Sequence, residues 1–174
     1  MEILLAPNPV LREECADIDI ANEPDLIEVA EEMAKLMYAA NGCGLAAPQV
    51  GIAKKFIVVD VEYGGPDGAP KNPIFLVNPY VESVRGEKVV DEEGCLSIPG
   101  VLVPVARCED ATVKALNLAG EEVTIEAKGF FARCLQHEID HLSGRTLFET
   151  MPVMERLAKL EEYKAALAES GEVA

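Results

Sequence analysis

Residues 130–142 read Phe-Phe-Ala-Arg-Cys-Leu-Gln-His-Glu-Ile-Asp-His-Leu, and this stretch decides how the rest of the chain is interpreted. Its apolar residues recur at helical spacing, so the pattern predicts a helix that Gly129 opens. Residues i and i+4 lie on one helix face, so His137 and His141 can bind one cation. Glu138 between them can act as a base on a water bound to that cation. The alternative is an ordinary helix that carries two histidines by chance. The chain has only 2 histidines, however, and both belong to this pattern.

A metal site needs a third protein ligand, and the residues leave that choice open. Cys95 lies in an irregular segment that ends in a proline, and Cys134 shares the helix face of His137. A thermolysin-like zinc protease would instead use a glutamate further along, for which Glu161 is available. A third histidine of the metzincin type is excluded, because that position is Leu147. Spacing alone does not decide between the two cysteines.

Helical periodicity also predicts a first helix over about 24–40 and a last helix over about 153–169. Residues 42–51 are predicted to form a loop because they are rich in glycine and proline. Between these helices lie six short strand-like segments: 56–61, 74–77, 81–84, 101–105, 111–116 and 123–127. Strands grouped between outer helices predict an α+β fold with a mostly antiparallel sheet.

Length and composition predict one globular domain over residues 1–174, with 170–174 as a flexible tail. The 15 Lys and Arg against 31 Asp and Glu give a formal net charge of −16. Such a charge argues against nonspecific binding to nucleic acid or to an anionic membrane. The sequence lacks an apolar run of membrane-spanning length and a recognisable signal peptide, so we expect a cytoplasmic protein. The 5 cysteines form no CxxC pair, which is typical of thiols rather than a disulfide framework.

Three segments resemble the three motifs of peptide deformylases, in the order and at the spacing of that family: residues 42–49, 93–97 and 136–141. The opening residues 3–12 are similar to that family's start as well, and the resemblance extends over about 3–165. It implies an α+β fold in which antiparallel sheets pack around a central HExxH helix. It also implies removal of the formyl group from the N-terminal formyl-methionine of newly made polypeptides, with release of formate.

The resemblance further implies which residues do this chemistry. The metal ligands would be Cys95, His137 and His141. Glu138 would be the catalytic acid and base, and the Gln49 side-chain amide and the Leu96 backbone N–H would stabilise the oxyanion. The metal of the family is usually Fe²⁺, and Zn²⁺, Ni²⁺ or Co²⁺ can replace it.

For the substrate, the resemblance implies a peptide that lies close to the protein backbone at Gly44 and Gly94. The methionine side chain would enter an apolar pocket near Cys43, Phe130 and Cys134. The chain departs from many relatives at residues 101–104, which are apolar here.

The expected partners are N-formylmethionyl peptides, without a membrane or a specific nucleic acid. The last helix is acidic, so charge-driven contact with the ribosome is expected to be weak and transient. Two other functions remain open at this point. One is a zinc protease with Glu161 as third ligand, and the other is a catalytically inactive relative that binds metal.

Overall fold

The computed structural model describes residues 1–64 and 68–171, so part of the predicted tail, residues 172–174, lies outside the described ranges. Within these ranges the helices and strands are, in chain order, α1 (Leu26–Ala39), β1 (Gly44–Ala46), β2 (Phe56–Val59), β3 (Ile74–Cys95), β4 (Ile98–Leu116), β5 (Glu122–Lys128), α2 (Gly129–Leu142) and α3 (Val153–Ser170). Short 3-10 helices cover Pro9–Arg12, Ile20–Asn22, Ala47–Val50 and Leu147–Thr150. The predicted α+β class is confirmed. None of the described helices is long and apolar enough to cross a membrane.

The five described strands form one sheet in the order β1-β2-β3-β4-β5, and every neighbouring pair is antiparallel. Two strands are much longer than the sequence pattern predicts. β3 joins the predicted segments 74–77 and 81–84, and β4 joins 101–105 and 111–116. The middle of β3 is exposed on both sides, so it has no alternating apolar pattern. Its pairing with β4 keeps it extended.

Both faces of the sheet are covered at β2, whose four residues are all buried. Alternate strand residues point to opposite faces. Ile57 belongs to the apolar cluster that contains Leu135 of α2, whereas Phe56 belongs to the cluster that contains Met33 of α1. Burial on two sides explains why β2 is a continuous apolar run rather than an alternating one.

The segment after α1 differs from the predicted loop. The helix ends in a Schellman motif, in which Asn41 has a φ of 55° and the Gly42 N–H donates to the Met37 carbonyl at 2.9 Å. The chain then enters β1 instead of a loop, and Gly44 pairs with Val59. Pairing with a distant strand thus overrides the turn preference of a glycine-rich segment.

Candidate metal centre

The predicted histidine pair lies on α2, which continues directly from β5 at Gly129, where φ is +54°. The helix packs against the sheet through apolar residues that include Leu135. His137 and His141 are also buried, and their ring centroids are 5.1 Å apart. The helical spacing therefore places both imidazoles side by side, away from solvent.

Cys95 joins the two histidines at the end of a long hairpin. It is the last residue of β3, and a turn of Leu96 and Ser97 leads into β4. Its Sγ lies 3.3 Å from Nε2 of His141. Cys95, His137 and His141 each offer one ligand atom, and these three atoms lie within 4.8 Å of one another. The three expected ligands thus come together from two distant parts of the chain.

The other two ligand choices lie elsewhere. The Sγ of Cys134 lies 4.0 Å from the Sγ of Cys43 and faces it rather than the histidines. The Glu161 side chain is 75% exposed and pairs with Lys164 at 2.7 Å. A surface carboxylate cannot join two buried imidazoles, so the ligand set of the zinc-protease alternative is wrong.

The residues of this cluster fit a divalent cation. Ligand distances of about 2.0–2.3 Å require the donor atoms of one ion to lie a few ångströms apart, as they do here. Burial lowers the pKa of His141, which keeps its ring neutral, the form that binds metal. A hydrogen bond to Glu93 occupies Nδ1 of His137 and leaves its Nε2 for the ion. One thiolate and two imidazoles suit a transition metal better than Mg²⁺ or Ca²⁺.

Glu93 lies behind the cluster and accepts hydrogen bonds from one of its histidines and from two arginines. Its buried carboxylate accepts hydrogen bonds from Nδ1 of His137 at 2.9 Å and from Nε and Nη2 of Arg107 at 2.6 and 2.9 Å. Arg133 donates to it at 2.7 Å, and Arg107 also donates to Asp140 at 2.9 Å. Burial by itself raises the pKa of Glu93, but the hydrogen bonds from His137 and Arg107 hold that pKa at about 2. Glu93 is therefore ionised.

Sequence reasoning assigned no role to Glu93, Arg107 or Arg133. Glu93 lies inside the second motif, and that position was the available signal. The two arginines lie 14 and 40 residues further along the chain. Nothing in the spacing indicates that they meet one carboxylate.

Glu138 lies buried beside β1. One of its carboxylate oxygens, Oε2, has no hydrogen-bond partner, and burial raises the pKa of Glu138 to about 7. A Cβ added at Gly44 would collide with the Glu138 carboxylate and lie 2.7 Å from its Cδ. Glycine at position 44 therefore makes room for this side chain.

The Gln49 side chain is fixed in the same region. Its Oε1 accepts from the Ala46 N–H at 2.8 Å, and its Nε2 donates to Ser97 Oγ at 3.1 Å. Nε2 also lies 3.5 Å from Cys95 Sγ. These contacts orient the amide N–H₂ towards the ligand cluster. Leu96 follows Cys95 in the hairpin turn and lines the same cavity as Gln49.

A cavity of about 530 Å³ opens onto this cluster. The predicted site residues that line it are Cys43, Gly44, Gln49, Gly94, Cys95, Leu96, His137 and Glu138. Phe130 does not take the predicted position. Phe130 is 59% exposed and instead lines a cleft with Val89 and Arg133. It lies seven residues before His137, about 10 Å along the helix axis.

Comparisons with known proteins agree with this geometry. The sequence model of the family described as polypeptide deformylase matches residues 1–157. A peptide deformylase of Carboxydothermus hydrogenoformans is 49% identical over 137 residues, 79% of this chain and 84% of that protein. One from Thermodesulfovibrio yellowstonii is 42% identical over 164 residues, 94% of this chain and 96% of that protein. The crystal structure of a Legionella pneumophila peptide deformylase has a TM-score of 0.88 at 33% identity and covers 99% of this chain and 98% of that one. The chain therefore belongs to the polypeptide deformylase family, as its three motifs predict.

Proposed function

We propose that this protein removes the N-formyl group from the N-terminal formyl-methionine of newly made polypeptides and releases formate. One observation carries the proposal: the Cys95, His137 and His141 ligand atoms lie within 4.8 Å of one another and open onto the cavity that Glu138 also lines. These three residues would hold one divalent cation, which we propose to be Fe²⁺, with Zn²⁺, Ni²⁺ or Co²⁺ as substitutes. When bound, the cation supplies Lewis acidity and lowers the pKa of water to about 7.

Glu138 carries the proton in this proposal. Its pKa of about 7, raised by burial, suits a group that must both accept and give a proton near neutral pH. Glu138 takes a proton from the attacking water as the water adds to the formyl carbon. It then gives the proton to the amine nitrogen as the C–N bond breaks. Its unpartnered Oε2 is available for the first of these transfers.

Two donors would stabilise the negative charge that develops on the formyl oxygen. The Gln49 amide is one, because its contacts with Ala46 and Ser97 hold its N–H₂ group in place beside Cys95. The Leu96 backbone N–H is the other. Donors held in place before the reaction contribute most, since they need no reorganisation during it.

The substrate would lie along the cavity wall. Gly44 and Gly94 line the cavity without side chains and would let a peptide backbone approach. The methionine side chain would enter beside Cys43, with Cys134 behind it. Phe130 is left out of this pocket, because it lies at the separate cleft.

We propose that residues 1–174 act as one catalytic domain in the cytoplasm. Contact with the ribosome would be transient. Two lysines of α3 already pair with glutamates of the same helix, Lys159 with Glu162 and Lys164 with Glu161. These pairs support a weak electrostatic role for α3 towards RNA.

The test is formate release from a formyl-Met tripeptide by Fe²⁺-loaded protein under anaerobic, reducing conditions. We expect formate release that disappears in Glu138→Gln and persists in Glu161→Gln. Glu161 is the matched control, because it is an exposed carboxylate on another helix. Peptide-bond cleavage without formate would contradict the proposal in favour of a protease. One metal ion per chain with neither product would contradict it in favour of an inactive metal-binding relative.

A further inference from the structure

Two cysteines that hold no metal in the proposed site lie side by side in the cavity wall. Cys43 lines the cavity and is half-buried, whereas Cys134 lies behind it and is 5% exposed. Their sulfur atoms are 4.0 Å apart. This is a pair of thiols of which only Cys43 faces the cavity.

Hydrogen bonds hold the backbone at Cys43, so the positions of the two cysteines relative to each other are set by the fold. The Cys43 carbonyl accepts from the Asp60 N–H at 2.9 Å and from the Cys134 thiol at 3.7 Å. Cys134 itself is held within α2. A disulfide has an S–S length of about 2.05 Å, so its formation requires the sulfur atoms to close by about 2 Å. Rotation of the Cys43 side chain beside an open cavity is the simplest route.

We propose that Cys43 and Cys134 form an oxidant-reactive dithiol site that hydrogen peroxide converts into a disulfide. The peroxide enters the cavity and transfers one oxygen to Cys43 Sγ, which gives a sulfenic acid and one water. Cys134 Sγ then attacks Cys43 Sγ, the S–S bond forms and the S–O bond breaks. The second water leaves with the Cys134 proton. Two thiols lose two electrons and two protons, and the peroxide gains them.

The Cys43–Cys134 pair has different neighbours from Cys95, the proposed metal ligand. The Cys95 sulfur lies among two imidazoles and the Gln49 amide. Cys134 has a neighbouring sulfur instead, so an oxidised Cys43 has an immediate partner. Oxidation of this pair would therefore stop at a reversible disulfide rather than continue to sulfinic acid.

The first experiment oxidises zinc-loaded protein with hydrogen peroxide, because Zn²⁺ itself has no redox chemistry. We expect intact mass to fall by two hydrogen atoms and unreduced peptide mapping to recover a Cys43–Cys134 link. Dithiothreitol should restore the starting mass. Cys43→Ser and Cys134→Ser should each abolish the link, and Cys108→Ser, another half-buried cysteine, should retain it. A link that involves Cys95, or sulfinic acid at Cys43 without any link, would overturn the proposal.

The second experiment needs no oxidant. Phenylarsine oxide condenses with two neighbouring thiols and releases water, so its uptake reports the spacing of the pair in reduced, zinc-loaded protein. We expect one arsenical per chain in the wild type and in Cys108→Ser, and none in Cys43→Ser or Cys134→Ala. The alanine variant avoids a buried hydroxyl, and circular dichroism verifies its fold. Uptake that persists in Cys134→Ala would overturn the assignment. Both experiments read mass, so their outcome is independent of deformylase turnover.

Discussion

Glu93 Oε2 lies 2.9 Å from Nδ1 of His137, so a carboxylate of β3 sets the ring orientation of a histidine on α2. Because the Glu93 carboxylate is ionised, it favours the tautomer with a hydrogen on Nδ1, and that tautomer would leave Nε2 free for a cation. Arg107 and Arg133 hold the Glu93 carboxylate from two further directions. Arg133 additionally donates to the carbonyls of Val89 and Val105, which ties α2 to both strands of the long hairpin. The candidate metal site thus lies against a charged network that involves neither of its other two proposed ligands.

Replacing Glu93 by Gln should weaken metal binding. The glutamine amide still fills the space. It carries no negative charge to pair with Arg107 and Arg133, however, and it is a poorer hydrogen-bond acceptor for His137. We expect zinc affinity to fall by about 10- to 100-fold, measured by competition with a chelator. Glu92→Gln, at the exposed neighbouring position, is the control and should leave the affinity unchanged. Equal affinities in the two variants would show that Glu93 does not orient His137.

Replacing Gly44 by Ala should disturb Glu138. The new Cβ would lie 2.7 Å from the Glu138 Cδ, so the carboxylate must move. We expect kcat for formate release to fall by about 100-fold, since a displacement of 1 Å in a reacting group has an effect of this size. In Gly94→Ala the Cβ meets only the Leu102 side chain, at 3.4 Å, so KM should rise while kcat is kept. Full kcat in Gly44→Ala would count against Glu138 as the proton carrier.

Replacing Gly100 by Ala should destabilise the fold where α3 meets β4. Gly100 has a φ of +78°, and an added Cβ would lie 2.8 Å from the Ala166 Cβ. Gly120→Ala is the control, because its φ is +82° but the nearest atom, on Ile20, is 3.8 Å away. Backbone strain alone costs about 1–3 kcal/mol. We expect Gly100→Ala to lower the free energy of unfolding, measured with urea, by more than Gly120→Ala does. Equal losses of unfolding free energy in the two variants would mean that α3 can move away from residue 100 without loss of stability.

Asp60 should contribute stability that depends on pH. Burial alone raises its pKa, but hydrogen bonds from the Tyr38 hydroxyl at 2.5 Å and the Asn72 N–H at 2.8 Å hold that pKa below its usual range. A lowered folded-state pKa stabilises above the unfolded pKa of about 3.9 and loses its effect as pH falls through the folded value. We expect Asp60→Asn to lower the free energy of unfolding by about 1.5–3 kcal/mol at pH 7.

The pH dependence of the Asp60→Asn effect is the sharper measurement. The difference from the wild type should be constant near neutrality and shrink below about pH 4, followed by urea unfolding across pH. Asp91→Asn, at an exposed position, should show no such difference. If the difference in the free energy of unfolding grew as the pH fell, the folded-state pKa of Asp60 would be raised rather than lowered, which would contradict this prediction.

Local patterns were sufficient for several elements of the fold. α1, α2 and α3 lie within a few residues of their predicted bounds, because an apolar face at helical spacing is a local property. The length of β3 was not predictable in this way. Its exposed middle is held by pairing with β4, and the strand assignment there depends on residues far away in the chain. The same reason turned residues 44–46 of the predicted loop into β1.

By itself, the sequence determined the parts of the site that one helix holds. His137 and His141 lie one turn apart, with Glu138 between them, because helix geometry places them there. Spacing left open which cysteine joins them. The motif resemblance implied Cys95, and only the tertiary structure brings Cys95 within reach, since the end of the β3–β4 hairpin folds onto α2. It also decided that the Glu93 carboxylate meets two arginines. Contacts of this kind arise when separate helices and strands pack together, so the spacing of residues along the chain does not predict them.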